Sequence, residues 1–219
     1  MIRIFLDTAN IDEIREAVRF GIIEGVTTNP SILSREGSDW KLRIKEIVSL
    51  VRGQVFAEVF STDADGMIRE GREIAAWDHR MVIKIPMIPE GVKAINALSS
   101  QNISTAATMI YSPAQAVIAA AAGAQYVATF IGRAFEINQD GVRNIEEIAE
   151  VYRKHQAATK ILAASVRNAQ DALRVLLAGA DCITVSFSVI KQMMSHPMTD
   201  ITLRKFLDDW GGVEKCNHR

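Results

Sequence analysis

One lysine, Lys84, stands inside the apolar run MVIKIP at residues 81–86. Short runs rich in Val and Ile read as buried strands, and lysine is rarely buried in one unless something pairs with it or uses it. Desolvation penalises the ammonium form, so a buried lysine keeps a fraction of free amine able to attack a ketone carbonyl and form a Schiff base. The competing reading is a strand-end lysine whose stem packs while its amine snorkels to water. Strand periodicity places Val82, Lys84 and Pro86 on one side of their run, and Phe56, Glu58 and Phe60 on one side of the preceding run QVFAEVF. If those sides face inward on adjacent strands, a carboxylate and an amine meet. Asp7, Asn29, Thr108, Arg133 and Ser165 end other strand-like runs. Taken singly, Asp7 could cap a helix, Asn29 could shape the TTNP turn, Glu58 could simply pair with Lys84, and Thr108 could bond to backbone. Ser165, Arg167 and Asn168 fall where a strand passes into a helix. Free N–H groups there, with Arg133 and Arg167 as bidentate forks, make a local anion site; Arg167 alone also reads as a solvated surface residue.

These groups need a scaffold that gathers strand ends. Along the chain, short apolar runs alternate with segments of helical period. IRIFL precedes IDEIREAVRF, whose Ile11, Ile14, Ala17 and Val18 share a face behind the potential cap Asn10. A strand around Gly25–Thr27 leads to TTNPSI, where Pro30 can open a helix. QVFAEVF, MVIKIP, ISTAATMI, QYVATFI, TKILAAS and DCITVSF follow as strands, with a long loop expected between QYVATFI and NIEEIAEVYRKH. Gly123 and Gly179 look like helix C-caps feeding the next strand. Eight strand–helix units without strict alternation in the strands predict a parallel (β/α)8 TIM barrel. At roughly 27 residues per unit the chain is compact against the roughly 250 residues typical of that fold, so large lid domains are excluded. A doubly wound open sheet is the alternative, disfavoured because no GxGxxG loop follows the first strand. Residues 1–198 are read as the barrel, and 199–219 as an extra C-terminal helix and tail. Its Ile201, Leu203, Phe206, Leu207 and Trp210 form an apolar stripe with no place left on its own barrel, suggesting a neighbouring subunit; the other option is folding back across the barrel's own bottom.

Composition removes other classes. A formal net charge of −1 and a pI near 6.4 supply no basic field for nucleic acid. Cys182 and Cys216 make no CxxC pair, and His79, His155, His196 and His218 lie far apart, so neither a disulfide framework nor a metal site is expected. No signal peptide or membrane-spanning run is seen, and a cytoplasmic location is expected.

The motifs FLDTAN, GVTTNPSIL, AEV, VIKIP, GRAFEINQDG, ILAASVRN and KQMMSHPMTDITLRKFLDDW together resemble the small-subunit branch of the transaldolase family, which also contains the fructose-6-phosphate aldolases. The resemblance spans nearly the whole chain. It implies a (β/α)8 barrel, a Schiff-base lysine at Lys84, no cofactor, and pentameric or decameric homo-oligomers in which the C-terminal helix grips a neighbour. Aldolases of this branch carry Gln at the position of Glu58 and Tyr at that of Phe130. This chain has the Glu and Phe of transaldolases, which implies transfer of a dihydroxyacetone unit from fructose 6-phosphate or sedoheptulose 7-phosphate to glyceraldehyde 3-phosphate or erythrose 4-phosphate. In that scheme Lys84 attacks the ketose, Glu58 assists dehydration through a water, and Asp7 moves the C4 hydroxyl proton. Asn29, Thr108 and Ser165 position hydroxyls, and Arg133 and Arg167 hold the terminal anion. Departures from the family pattern are Ala106 where Asn is usual, Thr129 and Ser186 where Pro is usual, and AFE at 134–136 where an acidic pair is common. They leave open a sugar sulfonate in place of a sugar phosphate, as in a 6-deoxy-6-sulfofructose transaldolase, and an aldolase releasing free dihydroxyacetone remains a further alternative.

Overall fold

A computed structural model describes residues 2–37 and 39–217, the side chains of residues 211–217 excepted. Cys216 and His218 therefore lie outside the described side chains, as do the last two residues of the expected C-terminal segment. Eight parallel strands close into a barrel in chain order. They are β1 (Arg3–Asp7), β2 (Ile23–Thr27), β3 (Gln54–Glu58), β4 (Met81–Pro86), β5 (Thr105–Ile110), β6 (Tyr126–Phe130), β7 (Lys160–Val166) and β8 (Cys182–Val185). Closure excludes the open doubly wound sheet.

Helices fill the returns. After β1 comes α1 (Ile11–Phe20), and after β2 come α2 (Pro30–Arg35) and α3 (Trp40–Leu50). Then follow α4 (Ala64–Ala75), α5 (Pro89–Ser99) and α6 (Pro113–Ala121), one after each of β3 to β5. Two helices, α7 (Ile131–Glu136) and α8 (Gly141–His155), follow β6, and α9 (Ala169–Leu177), α10 (Phe187–Met194) and α11 (Pro197–Asn217) complete the chain. The expected long loop after QYVATFI is thus largely the helix α7, and Arg133 sits on that helix rather than closing the strand. Helix α3 is an addition to the elements read from sequence.

Local chemistry accounts for the helix ends. The Asn10 side chain accepts from the Asp12 and Glu13 backbone N–H groups, occupying two free donors of α1. Ile11, Ile14 and Ala17 are buried on α1, whereas Val18 is half exposed at the edge of that face. Gly123 and Gly179 stand just past α6 and α9 with φ of 91° and 103°, a region that L side chains avoid. Ser186 is the N-cap of α10, its hydroxyl accepting from the Val189 N–H.

Burial divides into two shells. Inside the ring, Phe5, Phe56, Val82, Ala106, Tyr126, Leu162 and Cys182 pack as one cluster. Between ring and helices lies the larger shell, including Leu6, Val55, Ala57, Ile83, Ile85 and Val127 from the strands. The alternation along β3 and β4 is the one expected, with Phe56 and Val82 inward and their neighbours outward. From Pro197 to Trp210 every residue of α11 is exposed, so the helix does not lie back across its own barrel.

Candidate active site

The strand pairing of β3 with β4 sets Glu58 opposite Lys84. One pleat repeat beyond Phe56 and Val82, both side chains point into the mouth of the ring. Lys84 Nζ lies 3.1 Å from Glu58 Oε2 and donates to the Thr28 carbonyl at 2.8 Å. Both side chains are nearly closed to solvent, 7% and 8% exposed, so the pair meets with little water to screen it. The snorkelling alternative for Lys84 is therefore excluded.

Across the ring, β1 pairs with β2 so that Asp7 faces Thr27. The Thr27 hydroxyl donates to Asp7 Oδ1 at 2.7 Å. Burial pushes the Asp7 carboxyl above its ordinary value, opposed by the charge of Lys84 and by the Thr27 hydrogen bond, while the Glu58 charge adds to the rise. Asn29 is the N-cap of α2, its side chain accepting from the Ile32 N–H, and Pro30 opens that helix as expected.

These side chains line a cavity of about 340 Å³ with Phe130, Arg133, Ser165 and Thr184. Gly132 permits the approach of α7 to β7: a Cβ there would lie 2.4 Å from the Ser165 carbonyl oxygen and 2.6 Å from Arg167 Nε. The Arg133 guanidinium stacks over the Phe130 ring, 5.4 Å from its centroid. A roomier groove of about 610 Å³ runs between α6 and α8, lined largely by Val117, Ala120, Ala121 and Val151. It lacks the convergent acid and amine groups of the mouth.

Seven of the nine residues expected at the site line the mouth cavity: Asp7, Asn29, Glu58, Lys84, Phe130, Arg133 and Ser165. Thr108 and Arg167 do not. Thr108 is fully buried, and its hydroxyl makes no hydrogen bond among the described residues. Its neighbour Met109, at φ 62°, breaks the strand alternation and takes a place in the lining. Arg167 pairs with Glu136 of α7 at 2.5 Å, on the exposed rim. Sequence reasoning passed over Thr27, Thr28 and Thr184; the paired threonines of GVTTNP were the available signal for the first two. Ala106 lies opposite Lys84 on β5 and is fully buried, so no amide reaches the amine from that position.

A closed ring of parallel strands with a lysine and two carboxylates converging at the C-terminal ends of its strands defines a (β/α)8-barrel enzyme, the reactive groups lying on the face where such barrels place them. The family described as Transaldolase/Fructose-6-phosphate aldolase matches residues 4–215, and the chain belongs to it. A probable transaldolase of Petrotoga mobilis is 52% identical, covering 94% of this chain and 94% of its own. A probable transaldolase of Aquifex aeolicus is 48% identical over 96% of this chain and 97% of its own. Among solved structures, the thiamine phosphate pyrophosphorylase from Pyrococcus furiosus superposes with a TM-score of 0.59 at 19% identity, covering 84% of this chain and 85% of that one, a likeness of fold alone.

Proposed function

We propose that the chain is a Schiff-base transaldolase with Lys84 as its nucleophile. The observation that carries this reading is the buried amine of Lys84, held 3.1 Å from Glu58 at the floor of the mouth cavity. In this reading Glu58 takes the ammonium proton, freeing the amine to attack the ketose C2 carbonyl, and then, through a water, protonates the departing carbinolamine hydroxyl. Asp7 then removes the C4 hydroxyl proton while the C3–C4 bond breaks, its electron pair passing to the iminium as an enamine. The aldehyde fragment leaves and a second aldehyde enters; the enamine attacks it, and Asp7 returns the proton to the new alkoxide. Phe130 presents a phenyl ring with no proton to donate, so the enamine is left for an acceptor instead of being released. Asn29 and Ser165 position hydroxyls, Thr108 supports the strand end behind them, and Arg133 receives the terminal anion, with Arg167 at the rim.

Fructose 6-phosphate or sedoheptulose 7-phosphate is the proposed donor class. A sugar sulfonate is the second reading, favoured by one observation: Arg167 is engaged by Glu136, leaving Arg133 as the guanidinium that lines the cavity. A single guanidinium suits a monoanionic sulfonate better than a phosphate dianion. The exposed stripe Ile201, Leu203, Phe206, Leu207 and Trp210 of α11 supports docking on a second copy of the chain in a closed ring, and the reaction belongs in the cytoplasm.

Borohydride added with fructose 6-phosphate should trap a covalent adduct on Lys84, and turnover should require an acceptor aldehyde. Release of free dihydroxyacetone at full rate without acceptor would replace the transferase reading with an aldolase. Faster turnover of 6-sulfofructose than of the phosphate would select the second donor class. No adduct with either sugar would overturn the Schiff-base mechanism.

A further inference from the structure

Thr184 stands on β8, opposite Phe5 of β1 in the pairing of those strands. It is 4% exposed and Thr27 only 2%. Their hydroxyl oxygens are 2.5 Å apart, and Thr27 in turn donates to Asp7 Oδ1 at 2.7 Å. A line of three oxygens thus runs from the inner wall at β8, through β2, to the carboxylate on β1.

The proton count gives this line a direction. A threonine hydroxyl carries one proton, and an ionised carboxylate can only accept. While Asp7 is ionised, Thr27 must spend its proton on Asp7, so the bond between the two threonines needs the proton of Thr184. Once Asp7 has taken a proton, the carboxyl can donate to Thr27, and Thr27 can turn its own proton toward Thr184. The Thr184 hydroxyl then accepts. Both states of Asp7 remain hydrogen-bonded through rotation of two hydroxyls, with no proton leaving the pair. A partly buried acid that must exist in both forms within one turnover otherwise loses a partner in one of them.

We propose that Thr184 is a positioning residue for the reaction, acting through Thr27 to keep Asp7 in place and hydrogen-bonded in both its ionised and its protonated form. The inference rests on the reading of Asp7 as the acid and base of carbon–carbon bond cleavage. The charged groups that face Asp7 are Lys84 of β4 and Glu58 of β3, with Arg133 of α7 also lining the cavity; none of the three is altered by a substitution at Thr184. Since the Thr27 bond lowers the Asp7 pKa against the effect of burial, slackening that bond raises it.

The test uses the full chain with fructose 6-phosphate and an acceptor aldehyde. Thr184→Val keeps shape and removes the hydroxyl; Thr184→Ala serves the same purpose if the valine disturbs packing. Either should lower kcat about tenfold or more, in the range of a weakened acid–base contribution, with KM little changed. The acidic limb of the kcat profile should move to higher pH, and the borohydride adduct on Lys84 should still form. Thr184→Ser, which restores the hydroxyl, should recover most of kcat and return the limb to its wild-type position. An unchanged kcat and acid limb in both hydroxyl-free variants would overturn the inference. So would a raised KM with unchanged kcat, which would make Thr184 a substrate contact. Failure of the wild-type chain to trap any adduct would overturn the Schiff-base reading itself, and this inference with it.

Discussion

At the N-terminal end of the ring, Phe5, Phe56 and Tyr126 meet edge to face, with centroids 5.1 Å apart for Phe5 and Phe56 and 5.2 Å for Phe56 and Tyr126. Two residues further along β3 and β4, Phe56 gives way to Glu58 and Val82 to Lys84. Roughly 6–7 Å of strand separates the two layers, and all four side chains are buried. In the lower layer, removing a residue from water stabilises the fold through apolar area and aromatic contact. In the upper layer the same removal opposes the fold, and only the pairing of amine with carboxylate and carbonyl offsets it. The contrast shows that depth in this barrel does not distinguish scaffold from chemistry. What distinguishes them is which end of the strand a residue occupies and whether its polar atoms converge on space or on one another. Tyr126 makes the point at the lower end, since its hydroxyl donates to Gln54 Oε1 at 2.6 Å and takes no part in lining the mouth cavity.

The largest expected effect comes from erasing the upper layer. Lys84→Met should reduce turnover at least about a thousandfold, as for removal of a nucleophile, and abolish the borohydride adduct seen by mass spectrometry. It should also destabilise the chain by about 3–5 kcal/mol in urea unfolding, because Glu58 is left buried without its cation. Adding Glu58→Gln should recover that loss while leaving the enzyme inactive; a double variant no more stable than the single one would refute the contrast.

Next comes the lower layer, where Phe56→Ala should cost about 3–5 kcal/mol of stability, read from the same unfolding curves. At temperatures where it remains folded, this variant should still form the Lys84 adduct, unlike Lys84→Met.

Smaller and pH-dependent is the effect of Asp7. Its folded pKa lies above the unfolded value, so cleavage should fall as pH drops through a value above the usual carboxylate range. For stability the sign runs the other way. The penalty for ionising Asp7 is absent at pH below its unfolded value and grows as pH rises through the folded one. Asp7→Asn should therefore be relatively more stable at neutral pH than at acid pH, while losing about a hundredfold or more in cleavage rate. Equal pH dependence of unfolding in wild type and variant would contradict this.

The smallest effect is at Cys182, in the lower layer. Burial pushes its thiol up to about 12, so iodoacetamide at mild alkaline pH should leave it unmodified in the native chain and alkylate it readily after unfolding, as read by intact mass. Rapid native labelling would mean that the lower layer is open.

The ring and its central pair were legible because both depend on the two-residue strand period. Once eight runs close in order, period and neighbour relation bring Glu58 to Lys84. Arg167 was less legible because its long side chain can reach either the cavity or the rim, and Glu136, read only as a departure from an acidic pair, draws it to the rim. Thr108 stays out of the cavity lining for a backbone reason. The left-handed conformation of Met109 accompanies a register shift between Ala107 and Ile110 against β6, and neither is signalled by a non-glycine residue. Ser165 is likewise left-handed at φ 58°, within the span where β7 slips against β8. The threonines were hidden differently. Thr27 and Thr184 carry β-branched side chains that suit strands whether or not their hydroxyls do anything, so composition alone could not single them out. Helix α7 was missed because a six-residue helix is too short for its periodicity to stand out.

The partner of Lys84 at residue 28 is a main-chain carbonyl. Every amino acid brings the same oxygen to that position, so exchanging the side chain at 28 leaves the acceptor intact so long as the backbone keeps its course. The aim of the amine is therefore inherited with the path of the strand and the turn after it, whereas the acid at position 58 is open to replacement one codon at a time. A lineage drifting in sequence can alter the proton chemistry around Lys84 while the nitrogen continues to point the same way.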